Sequence, residues 1–132
     1  MISEKQIAGE AATKYLNNGM VVGLGTGSTV KYAVKKIGEL IKNGLTIRGI
    51  PTSEVTKILA EEEEIPLTNF SENNQIDLTI DGADEIDQNL NMIKGGGAAL
   101  LREKIVAAAS KEVIIVVSSN KFVEKLGNFP LP

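Results

Sequence analysis

Asp81-Gly82-Ala83-Asp84-Glu85, Lys94-Gly95-Gly96-Gly97 and Arg102-Glu103-Lys104 bring paired carboxylates, a lysine, a glycine-rich stretch and a further carboxylate into one short segment. Carboxylates and a lysine are groups that take up and return protons, and the amides of a glycine loop can stabilise a developing oxyanion. Upstream, Gly23-Leu24-Gly25-Thr26-Gly27-Ser28-Thr29 follows an apolar run. Its exposed amides, with the hydroxyls of Ser28 and Thr29, are equipped to hold a phosphate where a strand turns into a helix. One half of the chain suits an anion and the other suits proton transfer.

Composition narrows the chemistry further. The chain contains no histidine and no cysteine, so a general base within it is Asp, Glu or Lys. Serine-histidine and cysteine-histidine schemes are excluded, and so are zinc sites of nitrogen and sulfur ligands. A metal would need an all-oxygen site. The residues around Asp81 miss the calcium-loop pattern, because Ala83 stands where a second ligand belongs and the glycine comes too early. With 132 residues, 42% hydrophobic and 23% charged, the chain is long enough for one domain with its own core. A net charge of -3 with scattered lysines argues against a nucleic-acid surface. No apolar stretch approaches the ~20 residues that span a bilayer, and the N-terminus lacks the apolar core of a signal peptide. The expectation is a soluble, cytoplasmic protein with neither a membrane nor a nucleic-acid partner.

The glycine turn fails the tests for two commoner phosphate loops. A Walker loop needs Lys before its final Ser or Thr, and here Gly27 precedes Ser28. A dinucleotide fingerprint needs its third glycine where Ser28 stands and an acidic residue ending the second strand, where this chain has Gly49-Ile50-Pro51. What remains is a turn suited to one compact phosphate, with a plain tight turn as the alternative. Asp81 and Asp84 are open to two readings in the same way: carboxylates flanking a close ligand approach, or an ordinary polar turn.

These groups meet only if helices and strands alternate around a parallel sheet. The spacing predicts a helix from Ser3 to about Leu16, opened by a Ser3/Gln6 capping box and stopped by Asn17-Asn18-Gly19. A buried strand, Met20 to Leu24, leads into the glycine turn, and a helix follows from about Thr29 to Lys42. Further strands are expected at Leu45–Ile50, Ile65–Leu67, Ile76–Ile80 and Val113–Val117, the last being the most apolar. Further helices are expected from Ser53 to about Glu63, from Ala98 to Ser110 and from Asn120 to Leu126. The pattern is α/β, a Rossmann-like parallel sheet with helices on both faces, whose ligands gather at the carboxyl ends of the strands. Asp81 lies at such an end. On a regular helix Glu103 shares a side with Leu100, Val106 and Ala107, while Leu101, Ile105 and Ala108 form an opposite apolar stripe. A carboxylate there is partly desolvated, which pushes its pKa up toward the range useful to a general base. The alternative for Glu103 is an ion pair with Arg102, Lys104 or a group on another element.

Taken together, Gly25-Thr26-Gly27-Ser28-Thr29, Asp81-Gly82-Ala83-Asp84-Glu85, Lys94-Gly95-Gly96-Gly97-Ala98-Ala99-Leu100 and Arg102-Glu103-Lys104-Ile105 resemble the motif set of the type A ribose-5-phosphate isomerases. Gly127-Asn128-Phe129-Pro130-Leu131-Pro132 is similar to that family as well, so the resemblance runs the length of the chain. It implies that Thr26, Gly27, Ser28, Thr29, Asp81, Gly82, Ala83, Asp84, Lys94, Gly95, Gly96, Gly97 and Lys121 contact a sugar phosphate. Lys5 stands where the family has a phosphate-binding lysine. Glu103 is implied as proton acceptor, with Asp81, Asp84 and Lys94 as its catalytic companions. The implied reaction interconverts ribose 5-phosphate and ribulose 5-phosphate through an enediolate, a step of the non-oxidative pentose phosphate pathway, with no cofactor and no metal. The family continues into a second, smaller α/β domain that is missing here. Residues 1–132 are therefore expected to be a single catalytic domain, truncated at its C-terminal end, of a homodimer or homotetramer. Two other classes share related folds. A sugar-phosphate sensor could keep the turn without Glu103 or Lys94 and would carry a DNA-binding segment; a CoA transferase would hold its Glu in a different sequence context.

Overall fold

The computed structural model describes residues 3–83, 85–87, 89, 92–93 and 100–119. Ser3 opens helix α1 (Glu4–Ala12), its Oγ accepting the Gln6 amide at 3.2 Å. The Gln6 side-chain NH2 donates to Glu10 one turn on, at 2.7 Å. The Thr13 hydroxyl donates to the Glu10 carbonyl, and the helix tightens into a 3-10 turn, Thr13–Tyr15, short of the expected end at Leu16.

Strand β1 (Met20–Leu24) lies where the sequence predicts it and is buried from Val21 onward, as a parallel strand covered on both faces must be. Helix α2 (Val30–Lys42) turns Val30, Ala33, Val34, Ile37 and Ile41 toward the sheet, the spacing of a single apolar stripe. It stops in a Schellman closure, the Gly44 amide donating to the Ile41 carbonyl at 3.1 Å and the Leu45 amide to the Leu40 carbonyl at 3.0 Å. Strand β2 (Ile47–Pro51), helix α3 (Glu54–Glu62) and strand β3 (Ile76–Asp81) follow. A short antiparallel pair, β4 (Glu85–Ile86) and β5 (Met92–Ile93), precedes helix α4 (Leu100–Ala108) and strand β6 (Ser110–Ile115).

The four long strands form one parallel sheet in the order β2-β1-β3-β6. The chain leaves β1 toward β2 on one side and returns to β3 on the other, so the strand order reverses between β1 and β3. In such sheets the crevice outside that switch point is where ligands bind. Helices α1, α2 and α3 cover one face, over Val22, Leu24, Leu78 and Ile80; α4 covers the other, with Val106 against Val21 and Ile76. The expected α/β architecture with helices on both faces is thus the observed one.

Strand β2 also begins two residues later than expected, and three further differences have their reason in pairing. Ile65–Leu67 forms only a single bridge, Leu67 to Gly49, held by the Gly49 amide on the Pro66 carbonyl at 2.8 Å and the Thr68 amide on the Gly49 carbonyl at 2.9 Å. The last strand starts at Ser110, three residues before Val113, because Ile76 of β3 pairs with Ser110. It ends the described sheet, and Lys111, Glu112 and Val113 are exposed. Helix α4 ends at Ala108 instead of Ser110, since the Ala109 carbonyl is taken by the Ile76 amide at 2.9 Å. Residues 98–99 and the expected helix from Asn120 to Leu126 lie outside the described residues.

Candidate functional site

The turn between β1 and α2 is built from behind. The Gly25 amide donates to the Ile80 carbonyl at 2.8 Å, which ties the turn to β3. A Cβ on Gly25 would lie 2.3 Å from Asp81 Oδ1 and 2.7 Å from the Ile80 carbonyl oxygen, so only glycine lets the two strand ends close up. Gly27, at φ +133°, takes a conformation that L side chains rarely adopt and reverses the chain into α2. On the other side, the Leu24 carbonyl accepts from Thr52, from both its amide (2.9 Å) and its hydroxyl (3.0 Å). The Thr56 hydroxyl donates to the Gly25 carbonyl at 2.9 Å.

Of the turn residues read as phosphate contacts, Gly27 and Ser28 are exposed, Thr26 is half-buried and Thr29 is buried. Ser28 Oγ accepts from Lys5 Nζ at 2.9 Å, so the first turn of α1 brings its lysine onto the glycine turn. The Thr26 hydroxyl faces inward, donating to Ser53 at 2.9 Å and lying 2.9 Å from the Thr52 hydroxyl. Thr29 begins α2 without a side-chain capping bond. The turn opens on a groove of about 640 Å³, whose other walls include Lys31 and Lys35 of α2 and Val55, Ile58 and Glu62 of α3.

Asp81 ends β3 and is only 1% exposed. Its Oδ1 accepts the Gly82 amide at 2.8 Å, and its carbonyl accepts the Val116 amide at 2.8 Å. Gly82 and Ala83 continue from it half-buried. Asp84, Lys94, Gly95, Gly96, Gly97 and Lys121 lie outside the described residues.

Glu103 reaches the same edge from the opposite face of the sheet. Ala109, just past the end of α4, bonds to Ile76 at the start of β3. Val106 packs where a Cβ on Gly23 would sit, 2.6 Å from its Cγ1, beside Thr79. Stepping back along α4 therefore means stepping forward along β1 and β3. Glu103, about 4.5 Å of helix rise before Val106, lies toward the level of Gly25 and Asp81. It is 5% exposed, on the side of Val106, while Ile105 is 48% exposed. Ile105 and Ala108, of the apolar stripe opposite, face outward. Neighbouring Arg102 is exposed and reaches Glu54 of α3 at 3.4 Å.

Sequence reasoning passed over Thr52 and Thr56 and read Ser53 only as a helix start. The signal available was the Thr52-Ser53-x-x-Thr56 spacing after β2, a run of hydroxyls at a helix N-terminus. Among the described residues no group of three or more acidic side chains is placed to hold a metal ion, and no helix is long and apolar enough to cross a membrane.

A parallel α/β sheet with a glycine turn, a lysine and two buried carboxylates drawn to its switch point defines the class: a Rossmann-like protein, a fold whose members bind small ligands at the carboxyl edge. Comparison with known proteins makes this specific. The family described as ribose 5-phosphate isomerase A (phosphoriboisomerase A) matches residues 48–132, and the chain belongs to that family. It is 57% identical over all 132 residues to the ribose-5-phosphate isomerase A of Listeria monocytogenes and spans 59% of that protein's length. Among solved structures it is similar to a D-ribose-5-phosphate isomerase in complex with phospho-erythronic acid, with a TM-score of 0.91 and 46% identity, covering 93% of this chain and 55% of that one. It is also similar to ribose 5-phosphate isomerase A of Methanocaldococcus jannaschii, with a TM-score of 0.90 and 41% identity, covering 95% and 56%.

Proposed function

We propose that the protein interconverts ribose 5-phosphate and ribulose 5-phosphate, with residues 1–132 acting as one domain that carries the site. The observation that supports this best is the convergence of the Lys5–Ser28 turn, Asp81 and buried Glu103 on one sheet edge from both faces. An aldose becomes a ketose when a base takes the proton from C2 of the open-chain sugar and the electrons pass to the carbonyl oxygen O1, the hydroxyl proton on O2 passes to O1, and the same base returns its proton to C1 as the C2 carbonyl forms. Glu103 is that base. Lys94 and the amides of Gly95, Gly96 and Gly97 stabilise the enediolate oxygen, and Asp81 with Asp84 orients hydroxyls and assists ring opening. Thr26, Gly27, Ser28 and Thr29, with Lys5 and Lys121, hold the phosphate, while Gly82 and Ala83 leave room for the sugar. Remote binding energy is thereby turned into alignment of the reacting carbons.

The reaction moves protons and no net electrons, so this reading assigns it no cofactor. It also places the protein in the cytoplasm as a homodimer or homotetramer that binds neither nucleic acid nor membrane. The test is an assay of ribulose 5-phosphate formation from ribose 5-phosphate with a chelator present throughout. Undiminished turnover is expected; loss of turnover with restoration by a divalent ion would refute the metal-free mechanism, and no turnover under any condition would refute the activity.

A further inference from the structure

Behind the glycine turn the hydroxyls form a directed chain that ends on the turn itself. Thr26 Oγ1 donates to Ser53 Oγ (2.9 Å), Ser53 Oγ to Thr56 Oγ1 (3.1 Å), and Thr56 Oγ1 to the Gly25 carbonyl (2.9 Å). Each hydroxyl has one proton to give, so the order is fixed once Thr56 donates to the backbone. Thr52 and Thr56, which anchor it, are 0% and 5% exposed. Chains of this kind strengthen one another away from water. The Gly25 carbonyl and the Thr26 N–H belong to one planar trans peptide and point in opposite directions. Holding that carbonyl toward α3 therefore aims the Thr26 amide away from α3. The preceding peptide is held in the same way: Thr52 fixes the Leu24 carbonyl and the Gly25 amide is spent on Ile80.

We propose that Thr56, supported by Ser53 and Thr52, is a positioning residue that aims the Thr26 amide at the phosphate of the substrate without touching it. The proposal rests on the reading that the glycine turn holds a phosphate. If it is correct, the hydroxyl of Thr56 controls affinity for the phosphorylated end of the substrate and leaves the proton-transfer step alone.

The experiment compares Thr56→Val, which keeps shape and loses the donor, with Thr56→Ser, which keeps the donor and loses a methyl group. It reads kcat and KM for ribose 5-phosphate, inhibition by inorganic phosphate, and the melting temperature, all on the full chain. In Thr56→Val, KM and the phosphate inhibition constant should rise roughly tenfold with kcat within about threefold of the parent, and Thr56→Ser should restore both. Should Thr56→Val fail to fold, Thr56→Cys, a weaker donor of similar size, carries the same expectation. An unchanged KM in a folded Thr56→Val protein, or a Thr56→Ser protein as weak as Thr56→Val, overturns the positioning role. If the parent itself binds ribose as well as ribose 5-phosphate, the phosphate reading of the turn falls and the proposal falls with it. A retained phosphate preference confines any failure to Thr56.

Discussion

Glu103 is the residue on which the proposed chemistry turns, since it is a carboxylate almost wholly removed from water at the end of the sheet that carries Asp81. Glu103→Gln nearly preserves volume and exchanges one carboxylate oxygen for an amide NH2 that cannot take a proton. Turnover should fall by roughly 100-fold to 10,000-fold with KM nearly unchanged; near-parental turnover would move the base to Asp81 or Asp84. Ser28 tests the other half of the site. Exposed on the turn and bonded to Lys5, it offers the phosphate a hydroxyl, and a bond to a charged group is worth about 1.5–3 kcal/mol. Ser28→Ala should weaken binding of ribose 5-phosphate by a matching factor, roughly tenfold or more, in an equilibrium titration. Unphosphorylated ribose should bind both forms alike, and equal losses for the two sugars would make the turn structural. At this scale the types of the reactive groups were legible from their spacing, because glycine, serine and carboxylate positions along one segment are local information. The Lys5–Ser28 bond spans 23 positions and the Thr56–Gly25 bond 31, so nothing in either segment alone announces them.

Elements carry the site by their ends, and the end of β1 is the most constrained. Gly25→Ala would force a methyl group into Asp81 Oδ1 and the Ile80 carbonyl, both on or beside a backbone that cannot swing aside. Overpacking of this kind costs about 1–3 kcal/mol and would part β1 from β3 where they share the ligand crevice. The expected result is a lower melting temperature together with a higher KM. A variant as stable and as tight-binding as the parent would mean the strand ends can spread freely. The strand-turn-helix unit was readable in the sequence nearly to the residue, since β1 and α2 each have a strong periodic pattern bounded by stop signals. Ile65–Leu67 and the start of β6 were not, because their lengths depend on which partner carbonyls and amides are left to pair, as at Gly49 and Ile76.

At the scale of the whole molecule, the larger of the two apolar clusters among the described residues binds α1, α2 and α3 to the sheet, and Ile37 sits in it with no exposed surface. Ile37→Ala should cost about 2–5 kcal/mol, seen as a lower denaturation midpoint, with kcat of the folded fraction unchanged because Ile37 is remote from the turn in sequence and faces the sheet. A loss below about 1 kcal/mol would show that the core refills the gap. The chain spans 59% of the length of its Listeria relative, and the residues brought to the switch point are drawn from α1, the β1–α2 turn, β3 and α4. Between β1 and β3 the Val21 amide donates to the Asp77 carboxylate, 56 positions away. Closing such a loop costs entropy before any contact repays it, whereas β1 and β2 can associate across α2 much sooner. A nascent chain that has emerged only through α3 possesses the glycine turn in sequence yet lacks the Ile80 carbonyl and the Asp81 wall against which that turn is set. On the proposed function, a ligand held by that turn recognises only chains in which β3 has docked. By withdrawing those from the folding equilibrium, a sugar phosphate bound there acts as a selector of finished molecules.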